Sequence, residues 1–252
     1  MRAVRIAVLG ALLGFLAAPA MAQETPPLPN PGWSFSGIFG SYDVAAAQRG
    51  FWVYFKVCST CHSMKEMHYR DLADIGLSEG QIKAIAASVT VPQGINDQGE
   101  PVTGPARPAD EFKAPFPNDA AARAALGGAL PPDLSLITNA REGHADYVYG
   151  ILTGFTQPPK GVEVPAGKYY NEYFPGHLIA MPPPLSEGAV EYADGTKATV
   201  PQMAHDVTTF LEWAANPELV QRKQIGVRVI LFLLLMTGLT YAGKRKVWAD
   251  VH

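Results

Sequence analysis

The two cysteines of this 252-residue chain are separated by two residues and followed at once by an imidazole, as Cys58-Ser59-Thr60-Cys61-His62. A lone cysteine pair in an exported chain serves as a disulfide or a dithiol redox site. A His directly behind the second thiol turns the spacing into the attachment signature of a c-type haem. Two thiols add to the two vinyl groups of one porphyrin, and two intervening residues let a turn place both sulfurs along one edge. His62 then reaches the iron from the proximal side. A thioredoxin-type site needs no such His and prefers a βαβ context, which this sequence lacks. One motif predicts one covalently attached haem c.

A second axial ligand decides between electron transfer and an open site that binds small molecules. Met64, Met67 and His68 follow His62 too closely to leave the proximal side. Met203 and His205 lie in an apolar-periodic segment and read as a core Met and a surface or capped His; His144 and His177 each follow a glycine and read as surface positions. Met181 differs. It sits in His177 to Leu185 (HLIAMPPPL), an apolar loop in which three prolines restrict the backbone. That restriction lowers the entropy cost of holding one thioether against iron. His62 and Met181 are therefore the expected iron ligands, a pair that raises the potential relative to two imidazoles.

These residues need a scaffold, and the ends of the chain say where it works. Met1 to Ala22 has a basic start, an apolar run and a small-x-small stop at Ala20-Met21-Ala22, the pattern of a cleaved export signal. Ile225 to Gly243 is apolar apart from Arg228 and, at ~1.5 Å per residue, is long enough for a bilayer core of ~30 Å. Lys244-Arg245-Lys246 follows it, and Trp248 stands where an interfacial aromatic would. The positive-inside rule puts that cluster in the cytoplasm. The expected organisation is a signal peptide (1–22), a periplasmic haem domain (23–221) and a single-pass anchor in the inner membrane with a short cytoplasmic tail (222–252).

Between the ends, twelve Lys and Arg face twenty-two Asp and Glu, so the body is acidic although the whole chain carries only −3. A cationic partner fits that body and a nucleic acid does not. Asp43 to Val57 reads as a helix with Val44, Ala47, Phe51, Tyr54 and Phe55 on one face, Gly50 marking a close crossing. Val200 to Asn216 reads as a last helix that packs on the first around the haem edge. Ser78 to Val91, Asp119 to Leu126 and Thr138 to Thr153 read as further helices. Pro92 to Asn118 reads as mostly loop, and Pro158 to Tyr173 as a loop or short hairpin. The expected fold class is mainly α, a class I cytochrome c-like haem domain with long loops plus one C-terminal transmembrane helix.

Read together, Arg49-Gly50, Val53-Tyr54, the Cys58 motif, Tyr69-Arg70-Asp71-Leu72, Gly128 to Ser135 (GALPPDLS), Tyr173-Phe174-Pro175-Gly176 and Ile179-Ala180-Met181-Pro182 resemble the cytochrome c1 family over nearly the whole mature chain. The resemblance implies the c-haem subunit of a ubiquinol–cytochrome c reductase. Such a subunit takes electrons from a Rieske iron–sulfur protein, passes them to a soluble c-type cytochrome, and assembles with cytochrome b in the lipid bilayer. It also implies Met181 as the sixth ligand, Pro131 and Pro132 lining the haem, and Arg141 and Tyr147 reaching a propionate. Leu126 departs from the Asn that relatives carry before the Gly-Gly-Ala run. Glu163, Glu172, Glu187, Glu191 and Asp194 are the candidate acidic docking residues near the Met loop. Two other readings use the same motif: a free-standing tethered cytochrome feeding a terminal oxidase, and a haem sensor or peroxidase with an open distal site.

Overall fold

The computed structural model describes residues 26–250, so the export signal expected at 1–22 lies outside the described residues. These form helices α1 (Val44–Lys56), α2 (Glu79–Ala87), α3 (Asp119–Ala125), α4 (His144–Thr153), α5 (Val200–Ala215) and α6 (Leu219–Val247). Two antiparallel pairs join them, β1 (Thr90–Ile95) with β2 (Pro101–Pro105), and β3 (Tyr169–Tyr170) with β4 (Leu178–Ile179). Short 3-10 turns occupy Cys58–Thr60 and Tyr69–Ile75. The chain is mainly α with long connections.

The core is the crossing of α1 on α5. Asp43 accepts from the Ala46 amide and Thr199 from the Gln202 amide, so each helix starts on a side-chain cap that satisfies an otherwise free N–H. The helices touch at Gly50, where a methyl group would overlap the Asp206 carbonyl. Phe51, Tyr54 and Phe210 are fully buried there, with Phe112 and Tyr69 stacked on them at ring separations of 5.8 Å or less.

An ion pair crosses this core. Asp206 is fully buried and receives Arg49 through both Nε (2.9 Å) and Nη2 (3.1 Å), with Gln202 at 3.0 Å. Burial opposes ionisation, but hydrogen bonds from His205, Arg49 and Gln202 outweigh it and hold the Asp206 carboxyl below the usual range. A carboxylate whose pKa falls on folding contributes stability above its unfolded value near ~4 and loses it as pH drops through the folded value. Asp206→Asn should lower neutral-pH stability by roughly 3 kcal/mol, the range for removing one partner of a buried pair, and flatten the acid limb below about pH 4. Thermal melts across pH check both effects. An acid limb unchanged in the variant would contradict them.

Four expectations need correcting. The first part of the Pro92 to Asn118 stretch is a β-ribbon, with Thr90 opposite Pro105 and Ile95 opposite Pro101. Its residues are mostly exposed, so it shows no apolar alternation. In an isolated two-stranded ribbon the outer edges face solvent, which lets Pro92 and Pro101 sit inside it. The segment Thr138–Gly143 is not helical. Gly143 is left-handed (φ +85°) with the Leu28 side chain against it, so α4 starts only at His144. Helix α2 ends at Ala87 rather than Val91, where Ser88 Oγ turns back to donate to the Ile85 carbonyl. His177 is buried, not a surface residue, and its ring stacks on Tyr170 at 5.5 Å.

Helix α6 is long and apolar enough to cross a membrane, and its apolar window is unburied. A core helix of a soluble domain would be covered; this one is exposed at every residue from Arg228 to Val247.

Candidate haem site

The Cys58–His62 turn hangs directly from the end of α1. Ser59 Oγ donates to the Phe55 carbonyl and Thr60 Oγ1 to the Val57 carbonyl, both at 2.7 Å, so the two residues between the cysteines satisfy carbonyls the helix leaves free. The Cys61 and His62 amides both return to the Cys58 carbonyl, 3.1 and 2.9 Å. That winding brings Cys58, Cys61 and His62, all half-buried, onto one turn. Among the described residues no three His, Cys, Asp or Glu donors converge on one point.

His62 is oriented from seventy residues away. Its Nδ1 donates to the Pro132 carbonyl at 2.8 Å, which fixes the proton on Nδ1 and leaves Nε2 as the bare donor. Burial lowers the His62 pKa against the pull of the Pro132 carbonyl and Asp133, a shift toward the neutral form that metal ligation uses. Pro132 is itself held by its neighbour. Asp133 accepts from Ser63 Oγ (2.7 Å), the Lys65 amide (3.0 Å) and the Ser135 amide (2.9 Å), while the Leu134 amide donates to the Ser63 carbonyl (2.8 Å). Burial works to raise the Asp133 pKa, and these hydrogen bonds outweigh it. Asp133→Ala should cost about 1–3 kcal/mol by orphaning these donors and shift the potential of the holoprotein by releasing the His62 bond. Redox titration beside a thermal melt checks it; a lowered melt with an unmoved potential would restrict Asp133 to a structural role.

The Cys58 thiol has the wrong character for dithiol exchange. Burial pushes it up to about 12, with Cys61 adding to the effect, whereas exchange needs a depressed thiolate pKa.

Met181 is half-buried on an arm fixed at both ends. On one side β4 pairs with β3, Tyr170 opposite Leu178 and Tyr169 opposite Ile179. On the other, Leu185 is buried in the core. Asn171, which sequence reasoning missed, ties the arm to α4. It is fully buried; its Nδ2 donates to the Ile151 carbonyl (2.8 Å), its Oδ1 accepts from the Tyr173 amide, and its own amide donates to the His177 carbonyl (2.9 Å). Its only sequence signal is an Asn beside the aromatic Tyr169-Tyr170 pair. Arg141 precedes α4 and Tyr147 sits on its first turns. The two side chains are brought together, the Tyr147 hydroxyl being raised by burial and lowered by the Arg141 guanidinium, with the first effect larger. Pro131 is half-buried; the Pro132 ring is exposed while its carbonyl works on His62.

The remaining sulfur and imidazole candidates are engaged elsewhere. Met64, Met67 and Met203 fill the core, His205 stacks on Trp33 at 5.1 Å, and His144 Nδ1 meets the Thr138 carbonyl at 2.9 Å. Of the acidic candidates, Asp194 pairs with Arg49 at 2.9 Å, Glu187 caps the Val200 amide and Glu172 accepts from Thr156. Glu163 and Glu191 are exposed.

With this geometry in view, similarity to known proteins is informative. The model of the Cytochrome C1 family matches residues 33–251. Cytochrome c1 of Rhodospirillum rubrum is 48% identical over 235 residues, covering 87% of this chain and 86% of the relative. "Cytochrome c1-2, heme protein, mitochondrial" of Solanum tuberosum is 49% identical over 226 residues, covering 89% and 87%. "Cytochrome b/c1" of Bradyrhizobium diazoefficiens is 46% identical over 273 residues and covers 99% of this chain, which spans only 40% of that relative.

Proposed function

This chain belongs to the cytochrome c1 family, and from that premise we propose that it is the electron-transfer subunit of a ubiquinol–cytochrome c reductase, receiving electrons from a Rieske iron–sulfur protein and delivering them to a soluble c-type cytochrome. The observation that carries the reading is His62, half-buried in a two-cysteine turn with Nδ1 committed to the Pro132 carbonyl. Cys58 and Cys61 would hold the haem c through thioethers, His62 and Met181 would ligate its iron, Pro131 and Pro132 would line it, and Arg141 with Tyr147 would meet a propionate. When bound, the haem supplies a one-electron iron couple. The chain's own work is positional and electrostatic: the Asp133 hydrogen bonds hold Pro132, Pro132 holds the imidazole, and Asn171 ties the Met181 arm to the helix that carries Tyr147. A bidentate guanidinium suits a half-buried carboxylate. No bond-making residue is required.

Cytochrome b is the expected membrane neighbour; the Bradyrhizobium relative carries both names in one chain more than twice as long as the matched part. In this reading the haem domain lies in the periplasm and Lys244-Arg245-Lys246 in the cytoplasm of a single-pass inner-membrane protein, an orientation that the positive-inside rule supports. The acidic surface, with Glu163 and Glu191 exposed, steers a basic soluble cytochrome. Reduction of that cytochrome should slow steeply as salt rises, and a salt-independent rate would remove acidic steering. Gentle solubilisation of tagged chain from native membranes tests the assembly. A b-type cytochrome should co-purify, whereas haem c without any b haem would favour a free-standing tethered carrier.

A further inference from the structure

Among the described residues, most large exposed apolar side chains belong to α6, but the most exposed of them belongs to the haem domain. Phe39 is 86% exposed and its neighbour Ile38 is 69% exposed. They form the tip of a turn that the backbone enforces: Gly37 is left-handed (φ +74°), and at Gly40 a methyl group would overlap the Ser36 carbonyl. The turn is not a loose loop.

Its base is tied to the foot of the membrane helix. The Phe35 carbonyl accepts from Lys223 Nζ, Trp33 and Phe35 pack with Leu219 and Val220, and the Tyr42 hydroxyl donates to the Asn216 carbonyl at 2.9 Å. On α6, Leu219 is buried and Val220 and Lys223 are half-buried against the haem domain, just before Ile225 where the apolar run begins; an added methyl at Gly226 would meet nothing, and from Arg228 to Val247 every residue is exposed. The contacts between the haem domain and α6 therefore end at Lys223, within one helical turn of the start of the apolar run at Ile225. Composition agrees. From Pro26 to Tyr42 there is no charged side chain; Trp33 and Phe35 are buried in the base of the turn, and Phe39 is the aromatic it exposes. Arg222, Lys223 and Arg228 stand on the adjoining helix at headgroup level.

We propose that the Gly37–Gly40 turn is a second membrane contact, inserting Ile38 and Phe39 into the headgroup–acyl boundary of the outer leaflet, where it fixes the tilt of the haem domain over its anchor. A phospholipid surface suits it better than a protein partner: the tip is two residues wide, uncharged, and continuous with the point of membrane entry. Its apolar area is too small for a stable protein interface.

The test uses the holoprotein in its complex, in nanodiscs of phosphatidylcholine and phosphatidylglycerol. A nitroxide is placed on Phe39→Cys and, separately, on Ile38→Cys; thioether formation consumes the native Cys58 and Cys61. Collision with oxygen several-fold above collision with a water-soluble nickel chelate is expected at both sites, as for a lipid environment. Nickel collisions that dominate would place the tip in water, and low collision with both would place it against another subunit; either overturns the proposal. The inference rests on α6 being a membrane span, so a label at Leu234→Cys is read alongside. Nickel access at 234 would defeat the anchor itself, whereas shielding at 234 with nickel access at 39 would defeat the turn alone.

Discussion

Met181→Leu is expected to leave the haem attached and the chain folded, while the midpoint potential falls and the reduced protein begins to bind carbon monoxide. Leu and Met have similar volumes, so the packing cost should stay under about 1.5 kcal/mol. The arm itself is held by the β3–β4 pairing, by Asn171 and by the buried Leu185, none of which the substitution touches. What disappears is the thioether. Axial ligation commands a range of ~0.8 V, and losing the sixth ligand should move the potential by on the order of 100 mV. Met64→Leu is the companion measurement, because Met64 is fully buried in the core and should leave the potential near that of the parent. A Met181→Leu protein with the parental potential and no affinity for carbon monoxide would show that the sixth ligand lies elsewhere.

The largest loss of stability is expected from Gly50→Ala. Substituting Ala for Gly inside a helix normally gains ~0.5–1 kcal/mol from the reduced freedom of the unfolded chain. Gly80 in α2 has nothing within 4 Å of an added methyl and should show that gain. At Gly50 the methyl would instead meet the backbone of α5 at Asp206, and the Phe210 side chain beside it. Backbone on both sides means that neither helix can yield without moving the Arg49–Asp206 pair and the aromatic core behind it. The cost should exceed the ~1–3 kcal/mol of ordinary overpacking, a large part of a stability of ~5–15 kcal/mol. Opposite signs for Gly80→Ala and Gly50→Ala in paired denaturant titrations are the expected outcome. A neutral Gly50→Ala would mean that the helices are not in contact there.

Features set by chemistry or by local periodicity were legible in the residues alone. The Cys58 motif could be read because porphyrin attachment dictates its spacing, and α1 and α5 because their apolar faces recur at the helical period. Gly50 was legible for a related reason: it lies beside Phe51 in the apolar-faced part of α1, where a missing side chain leaves room for another helix to approach. What stayed hidden depends on distant partners. Nothing local says that the Pro132 carbonyl turns toward His62, that the Leu28 side chain lies against Gly143 at the start of α4, or that Asn171 stitches the methionine arm to α4. The β1–β2 ribbon escaped because it is exposed on both faces and so carries none of the alternation that burial imposes. Asp194 looked like a free docking charge until its partner Arg49, far away in sequence, was placed beside it.

The central claim, one high-potential haem c held by His62 and Met181, is tested most directly by visible difference spectra of the purified chain reduced first with ascorbate and then with dithionite. The expected result is a c-type signal that appears fully in the ascorbate step and stays with the polypeptide after denaturation. A c-type signal that appears only with dithionite would contradict methionine ligation, and a haem lost on denaturation would contradict attachment through Cys58 and Cys61.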